Sequence, residues 1–163
     1  MVSGKRIAIF IDGANLNLAQ ARYAASQKGY KMDPAKLIDR LTSGRRLVAV
    51  NYYASSLVKR GHKPSTFGKI EQAFNIKFHS YKFATQVDVG LAVDMLDEAW
   101  RGAYDIAVLV SGDQDFLPAV AKIRRVGKEV EVACFENGLA TSLRREASSS
   151  VILDLHADYI RIK

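Results

Sequence analysis

Cysteine, proline and long apolar runs are scarce in this sequence of 163 residues, which contains one cysteine and three prolines. The single cysteine, Cys134, excludes an internal disulfide framework and a cysteine-rich zinc site. No stretch approaches the ~20 apolar residues that a membrane-spanning helix requires. The first residues, 1–6, lack the hydrophobic region and cleavage site of a secretory signal peptide. We therefore expect one domain over residues 1–163, located in the cytoplasm and independent of membranes.

Acidic residues are fewer than basic ones, 17 against 24, which gives a net charge of +7. A positive excess favours nucleic acid or another polyanion as a partner. Apolar residues make up 48% and charged residues 25% of the chain, as in an ordinary globular protein. The candidate phosphate-binding cations form three short segments, and ordinary solvated surface charge is the alternative for each. They are Arg45–Arg46, the segment 59–63 with Lys59, Arg60 and Lys63, and Arg144–Arg145.

Strand-like and helix-like patterns alternate along the whole chain. The predicted strands are 6–11, 47–53, 76–83, 106–110 and 129–135, with 151–155 as the candidate for a last strand. The predicted helices are 14–26, one that begins at Pro34 with Asp33 as its N-cap, 65–74, 87–100, 114–126 and 139–145. Strands that alternate with helices imply right-handed β-α-β crossovers. The pattern predicts an α/β fold with a mainly parallel sheet.

Carboxylates follow two of the buried strands directly. Asp12 comes after the first strand, and Asp113 and Asp115 come after the fourth, while Asp88 lies early in the helix after the third. In a doubly wound sheet the first and fourth strands can be neighbours, which would bring their acids into one crevice. Carboxylates held together repel each other, and an all-oxygen ligand set favours Mg²⁺ or Mn²⁺. We interpret the acids as a metal site, with ordinary helix capping as the alternative for each.

Small and neutral polar residues accompany these acids. Gly13 and Gly112 permit a close approach to the backbone. Asn15 and Ser111 are candidate substrate-binding groups, with hydrogen bonds to the local backbone as the alternative. Asp94 lies six residues after Asp88, about 120° around the helix. It therefore lies either at the edge of the crevice or on a solvated face.

Other catalytic arrangements find little support in the sequence. Cys134 lies within an apolar strand, and the three histidines have no metal-ligand spacing. No Gly-x-Gly-x-x-Gly motif follows the first strand, which argues against a dinucleotide-binding domain. Asp12 lacks a second aspartate two residues later, which argues against a phosphatase with an aspartyl nucleophile.

Three segments in order resemble NYN domains, and more narrowly the LabA-like branch within the PIN-like nuclease superfamily. They are Ile9-Phe10-Ile11-Asp12-Gly13-Ala14-Asn15-Leu16, Val87-Asp88-Val89-Gly90-Leu91-Ala92-Val93-Asp94 and Val108-Leu109-Val110-Ser111-Gly112-Asp113-Gln114-Asp115-Phe116. The resemblance implies a three-layer α/β/α sandwich with five or six strands, PIN-like and Rossmann-like.

The same resemblance implies a divalent-metal site and ribonuclease activity. By position, Asp12, Asp88, Asp113 and Asp115 match the catalytic and metal-binding acids of the family. Asp94 matches a further acidic position in the family's helix motif, which makes it a fifth candidate metal ligand. Relatives often carry a lysine three residues before Asp88, where this chain has Thr85. Lys82 is the candidate replacement for that charge.

We therefore expect an endoribonuclease that uses Mg²⁺ or Mn²⁺ to hydrolyse single-stranded RNA. The alternative is an RNA-binding or regulatory module that retains the fold without cleaving. A homodimer is compatible with a domain of this size.

Overall fold

The computed structural model describes residues 4–55 and 65–163, in which a six-stranded parallel sheet carries helices on both faces. Its strands are β1 Arg6–Asp12, β2 Arg46–Ser55, β3 Ile76–Tyr81, β4 Ile106–Val110, β5 Glu129–Cys134 and β6 Ser149–Ile152. Its helices are α1 Gly13–Ser26, α2 Pro34–Thr42, α3 Ser65–Gly68, α4 Glu71–Phe74, α5 Ala84–Trp100, α6 Leu117–Arg125 and α7 Thr141–Glu146. Short 3-10 turns cover Gln114–Phe116, Glu136–Gly138 and Leu153–His156. The α/β class and the six-stranded parallel sheet confirm the sequence prediction.

The strand order β3-β2-β1-β4-β5-β6 places β1 beside β4 at the centre of the sheet. Ile11 pairs with Val110 at the carboxyl ends of these two parallel strands. The chain winds outward in opposite directions from this pair, so the connections that follow β1 and β4 diverge and leave a crevice. Asp12 is the last residue of β1, one residue beyond the predicted end of that strand, and Asp113 follows the end of β4 as the sequence predicts.

Alternate residues of the central strand build two separate cores. Ile7, Ile9 and Ile11 are buried in the core that includes residues of α1 and α2. Ala8 and Phe10 are buried in the core that includes residues of α5 and α6. Burying one isoleucine side chain contributes roughly 1.5–3 kcal/mol. The central strand is thus packed on both faces, and this packing fixes the position of Asp12, its last residue.

Helix α2 begins as its sequence predicts. Asp33 Oδ1 accepts hydrogen bonds from the N–H groups of Ala35 and Lys36 at 2.9 and 3.3 Å. Pro34 occupies the first helical position, where the missing N–H has no cost. Ser43 adopts the left-handed conformation that ends the helix.

Two predicted helices are divided in the structure. The predicted helix 65–74 forms two helices, α3 and α4, because Gly68, a weak helix former, ends the first. The predicted helix 114–126 opens with the 3-10 turn Gln114–Phe116 before α6 begins at Leu117. Pro118 has no N–H and is tolerated only in the first turn of a helix, which fixes the start of α6.

Within the two described ranges, no helix has both the length and the apolar character needed to cross a membrane.

Candidate metal centre

Asp12 is a buried carboxylate at the junction between β1 and α1. Its side chain is 4% exposed, and its Oδ1 accepts the N–H of Asn15 at 3.2 Å as the N-cap of the helix. Its Oδ2 accepts the hydroxyl of Ser111 at 3.1 Å. Burial raises the pKa of the Asp12 carboxyl above its ordinary value, while the bonds from Asn15 and Ser111 act to lower it. Asp12 therefore caps α1, which is the alternative that its sequence position left open, and its role in metal binding stays a prediction.

Asn15 and Ser111 join the β1 and β4 ends to each other. The Ser111 hydroxyl, which is buried, accepts the N–H of Asp113 at 3.2 Å besides donating to Asp12. Asn15 Oδ1 accepts the N–H of Gly112 at 3.0 Å. Both predicted substrate-binding residues thus position the acids through hydrogen bonds. Contact between either residue and a substrate stays a prediction.

Gly112 allows a close approach between two loops. An ideal Cβ at this position would lie 1.8 Å from the carbonyl oxygen of Gly138, which is backbone and cannot move aside easily. The Gly112 carbonyl accepts the N–H of Ala140 at 2.9 Å. The chain segment between β5 and α7 therefore packs directly on the turn that carries Asp113. The sequence shows the glycine but not this contact, because the two loops are far apart along the chain.

Three carboxylates come together beyond the carboxyl ends of the strands. One oxygen each of Asp88, Asp113 and Asp115 lies within 4.8 Å of the other two. Asp113 caps the 3-10 turn before α6 and accepts the N–H of Asp115 at 2.9 Å, which fixes these two acids relative to each other. Asp88 reaches the same point from α5. We call these three side chains the carboxylate cluster.

Asp12 shares a cavity with two members of the cluster. The cavity has a volume of about 230 Å³, and its lining consists of Asp12, Ala14, Asn15, Leu18, Ser55, Ala84, Val87, Asp88 and Asp113. The three-oxygen group itself comprises only Asp88, Asp113 and Asp115. The structure thus brings three of the five predicted acids into direct proximity and places Asp12, which is buried, on the cavity wall.

The cluster concentrates negative charge at Asp88. Burial first, and then the charges of Asp12, Asp113 and Asp115, raise the pKa of Asp88 to about 6. The ordinary value is 3.8. Like charges in a partly desolvated site favour either a bound proton or a bound cation.

The donor set fits a hard divalent cation. The cluster offers carboxylate oxygens alone, the ligands that Mg²⁺ and related ions prefer. Two ligands of one such ion, with bonds of ~2.0–2.6 Å, lie at most ~4–5 Å apart. The three carboxylate oxygens of the cluster lie within 4.8 Å of one another, which is close to this largest ligand-to-ligand distance. Asp88, Asp113 and Asp115 are therefore the residues that would hold the ion.

Asp94 lies outside the carboxylate cluster. Its Oδ2 accepts the hydroxyl of Tyr53 at 2.8 Å and lies 3.8 Å from His79 Nδ1. The Tyr53 and His79 rings are stacked, with centroids 4.4 Å apart. Burial lowers the pKa of His79, while the charge of Asp94 acts to raise it. Sequence analysis did not identify Tyr53 as the partner of Asp94, because the pairing joins β2 to α5.

The predicted cations have different surroundings. Lys59, Arg60 and Lys63 lie outside the described residues, so their role stays a prediction. Lys82 is exposed, with its Nζ 5.3 Å from the centroid of the Phe83 ring. Arg45 forms a structural ion pair, in which Nη1 and Nη2 donate to the Glu131 carboxylate at 2.6 and 3.0 Å. Arg144 pairs with Glu136 at 3.1 Å.

Comparison with known proteins identifies the family. A model of the NYN domain matches residues 6–154, which include every member of the carboxylate cluster. An uncharacterized protein of Methanocaldococcus jannaschii is 31% identical over 146 residues, covering 87% of this chain. The chain spans about half of that relative, 52% of its length. The low amplitude and bright protein LabA of Synechococcus elongatus is 25% identical over 165 residues, covering 91% of this chain and 84% of LabA.

A solved structure supports the same architecture. A protein of unknown function from Vibrio parahaemolyticus matches with a TM-score of 0.77 over 99% of both chains, at 22% identity. At this identity the match shows the fold alone. The family match over residues 6–154 leads to the conclusion on identity: the protein belongs to the NYN domain family, within the PIN-like nuclease superfamily.

Proposed function

We propose that this NYN domain is an endoribonuclease that uses Mg²⁺ or Mn²⁺ to hydrolyse phosphodiester bonds of single-stranded RNA. The observation that supports the proposal best is the carboxylate cluster. One carboxylate oxygen from each of its three acids, which come from two chain segments, lies within 4.8 Å of the other two. Like charges held together destabilise a protein, so a cluster of this kind favours a cation partner.

The residues of the site have separable roles in this proposal. Asp88, Asp113 and Asp115 hold the cation, which when bound lowers the pKa of a water molecule and polarises the scissile phosphate. Ser111 and Asn15 hold the acids in place through the hydrogen bonds to Asp12, Asp113 N–H and Gly112 N–H. Asp12 supplies a fourth negative charge on the cavity wall without being exposed to solvent.

Charge explains why the cation and the substrate depend on each other. The chain carries a net charge of +7, which attracts RNA to its surface. Asp12, Asp88 and Asp113 line the cavity and repel a phosphate group that enters it until a cation neutralises them, whereas phosphates outside the cavity remain attracted to the basic surface. Lys82 and the segment with Lys59, Arg60 and Lys63 are the proposed contacts to the flanking phosphates.

An RNA-binding module without cleavage is the second candidate. It is favoured by Thr85, an exposed residue in the first turn of α5 where relatives often carry a lysine. A module of this kind would keep the cluster and bind the same cation and RNA.

One cleavage assay separates the two candidates. Labelled single-stranded RNA is incubated with Mn²⁺ and the wild-type chain, and the products are resolved by length. Asp113→Asn should abolish cleavage, because it removes a cluster ligand. Asp94→Asn is the matched control, since asparagine still accepts the Tyr53 hydroxyl and Asp94 lies outside the cluster.

The outcomes are distinct. Cleavage by wild type and Asp94→Asn but not by Asp113→Asn supports the nuclease. RNA binding without Mn²⁺-dependent cleavage supports the module instead. A circular RNA substrate tests the mode of attack, because only an endonuclease can open it.

A further inference from the structure

Phe83 is an exposed aromatic side chain beside the cavity of the metal centre. The residue is 55% exposed, and the residue that follows it, Ala84, lines the cavity. The ammonium group of Lys82 lies 5.3 Å from the centroid of the Phe83 ring. A single exposed apolar residue is ordinary on a protein surface. This one lies next to a cation and adjoins a cavity with five polar or acidic residues in its lining, and that position needs a chemical reason.

The backbone of Phe83 is fixed relative to the cavity. Its N–H donates to Gln86 Oε1 at 3.2 Å, and its carbonyl accepts the N–H of Gln86 at 3.1 Å. The carbonyl also accepts the N–H of Val87, a buried residue that lines the cavity, at 3.4 Å. The backbone of Phe83 is therefore held at the start of α5 by hydrogen bonds.

The cavity has apolar walls as well as acids. Leu18, which is 53% exposed, belongs to the lining together with Ala14, Ala84 and Val87. A cation or an inorganic phosphate gains nothing from such walls. A nucleotide has a flat, weakly polar base in addition to its charged phosphate, and it can use both kinds of surface.

We propose that Phe83 is a stacking platform for one base of single-stranded RNA next to the cavity, with Lys82 contacting the adjoining phosphate. The inference rests on the proposed function for its substrate class. Aromatic side chains stack on any base, because every base has a π face. In a duplex both faces of a base are already covered by its neighbours. The platform therefore selects single strands without selecting sequence.

The test measures RNA binding in the absence of divalent metal. Fluorescein-labelled decauridylate is titrated with the full chain in EDTA, and fluorescence anisotropy gives the Kd. Phe83→Ala should raise Kd about 5- to 150-fold, the range expected for one lost base–aromatic stack. Phe83→Leu should weaken binding similarly because it keeps an apolar side chain without the π face, and Phe83→Trp should retain binding.

The matched control is the exposed aromatic at the other end of the same helix. Trp100 is 71% exposed and ends α5. It lies about 25 Å from Phe83, since a helix rises ~1.5 Å per residue. Trp100→Ala should leave Kd unchanged. A comparable loss in Trp100→Ala would overturn the proposal, because it would show general hydrophobic adhesion along the helix.

An abasic oligomer shows whether the contribution of Phe83 to binding depends on the bases. With ribose and phosphate intact but every base removed, wild type and Phe83→Ala should bind equally. A persistent difference on the abasic oligomer would overturn stacking, as would unchanged binding of decauridylate by Phe83→Ala. In the latter case the exposed ring would serve a protein contact.

A spectroscopic signal provides a second readout. A chain with Trp100→Phe and Phe83→Trp has a single tryptophan, at position 83. The fluorescence of this tryptophan should be quenched when decauridylate binds, and unchanged fluorescence would contradict stacking. These binding measurements do not depend on cleavage. Loss of stacking with intact Mn²⁺-dependent cleavage refutes only this inference, whereas RNA stacking without cleavage refutes only the nuclease.

Discussion

The hydroxyl of Ser111 donates to Asp12 Oδ2 at 3.1 Å, across the junction between β1 and β4. The same oxygen accepts the N–H of Asp113 at 3.2 Å. One buried serine therefore connects Asp12, the acid that ends β1, to Asp113, the first acid after β4. The arrangement of the candidate metal centre depends on this connection as well as on the three carboxylates themselves.

Ser111→Ala should destabilise the protein by about 1–3 kcal/mol, because Asp12 and the Asp113 N–H each lose a hydrogen-bond partner. Urea unfolding of the metal-free protein measures the change in the free energy of unfolding. Ser142→Ala is the control, since Ser142 is exposed and its loss should change stability by less than ~0.5 kcal/mol. Equal effects of the two substitutions would show that the Ser111 bonds contribute nothing.

Gly112→Ala should destabilise by about 1–3 kcal/mol or more, because the new methyl group would collide with backbone. Its ideal position lies 1.8 Å from the Gly138 carbonyl oxygen. Gly4→Ala is matched in chemistry and has open space around the new Cβ, so it should be nearly neutral. Thermal unfolding of the two variants compares them directly. A Gly112→Ala protein as stable as Gly4→Ala would disprove the close approach of the two loops.

Asp88 should lower the free energy of unfolding of the metal-free protein as the pH rises from 3.8 to about 6. The pKa of Asp88 is raised in the folded state, so the folded state binds the proton more tightly than the unfolded chain does. The penalty is absent below the ordinary pKa and complete above the raised one. Asp88→Asn should therefore stabilise the metal-free protein above pH 6, and the gain should vanish toward pH 3.8.

Urea midpoints in EDTA across this pH range measure the effect of Asp88→Asn. Asp158→Asn, at an exposed position outside the cluster, is the control. A gain that is independent of pH would contradict charge repulsion at Asp88 as its cause.

Arg45 should act on stability and not on RNA affinity. Its guanidinium donates to both oxygens of Glu131 and also to the carbonyl groups of Leu41 and Thr42. Arg45→Met should cost about 1–3 kcal/mol in the free energy of unfolding, because Glu131 loses its charged partner. Arg46→Met, at the exposed neighbouring position, serves as the comparison. If Arg45→Met weakened RNA binding while the fold kept its stability, Arg45 would be a phosphate contact.

Several features of the fold follow from local sequence alone. The strand Ile106–Val110 has the predicted bounds because it is a continuous apolar run that ends at Ser111-Gly112. The start of α2 follows from Asp33 and Pro34, whose capping chemistry is complete within four residues. The meeting of Asp12 with the β4 end is one that a doubly wound sheet permits, and the strand order, which places β1 beside β4, confirms it.

Other features depend on contacts between distant segments. The sequence places Asp94 about 120° from Asp88 around α5, but it does not show that Tyr53 of β2 binds it. Likewise, the pattern around Arg45 is basic, and only the sheet order brings Glu131 beside it. The sequence shows which acidic and basic residues are present, whereas tertiary packing determines which residues they contact.

The most direct test of the account is Mn²⁺ binding by isothermal titration calorimetry near neutral pH, on wild type, Asp88→Asn, Asp113→Asn, Asp115→Asn and Asp94→Asn. The carboxylate cluster predicts that wild type and Asp94→Asn bind Mn²⁺ with similar affinity. Each of the three cluster variants should bind it much more weakly while remaining folded. Equal Mn²⁺ affinity in all five proteins, or a loss confined to Asp94→Asn, would contradict a metal centre at Asp88, Asp113 and Asp115.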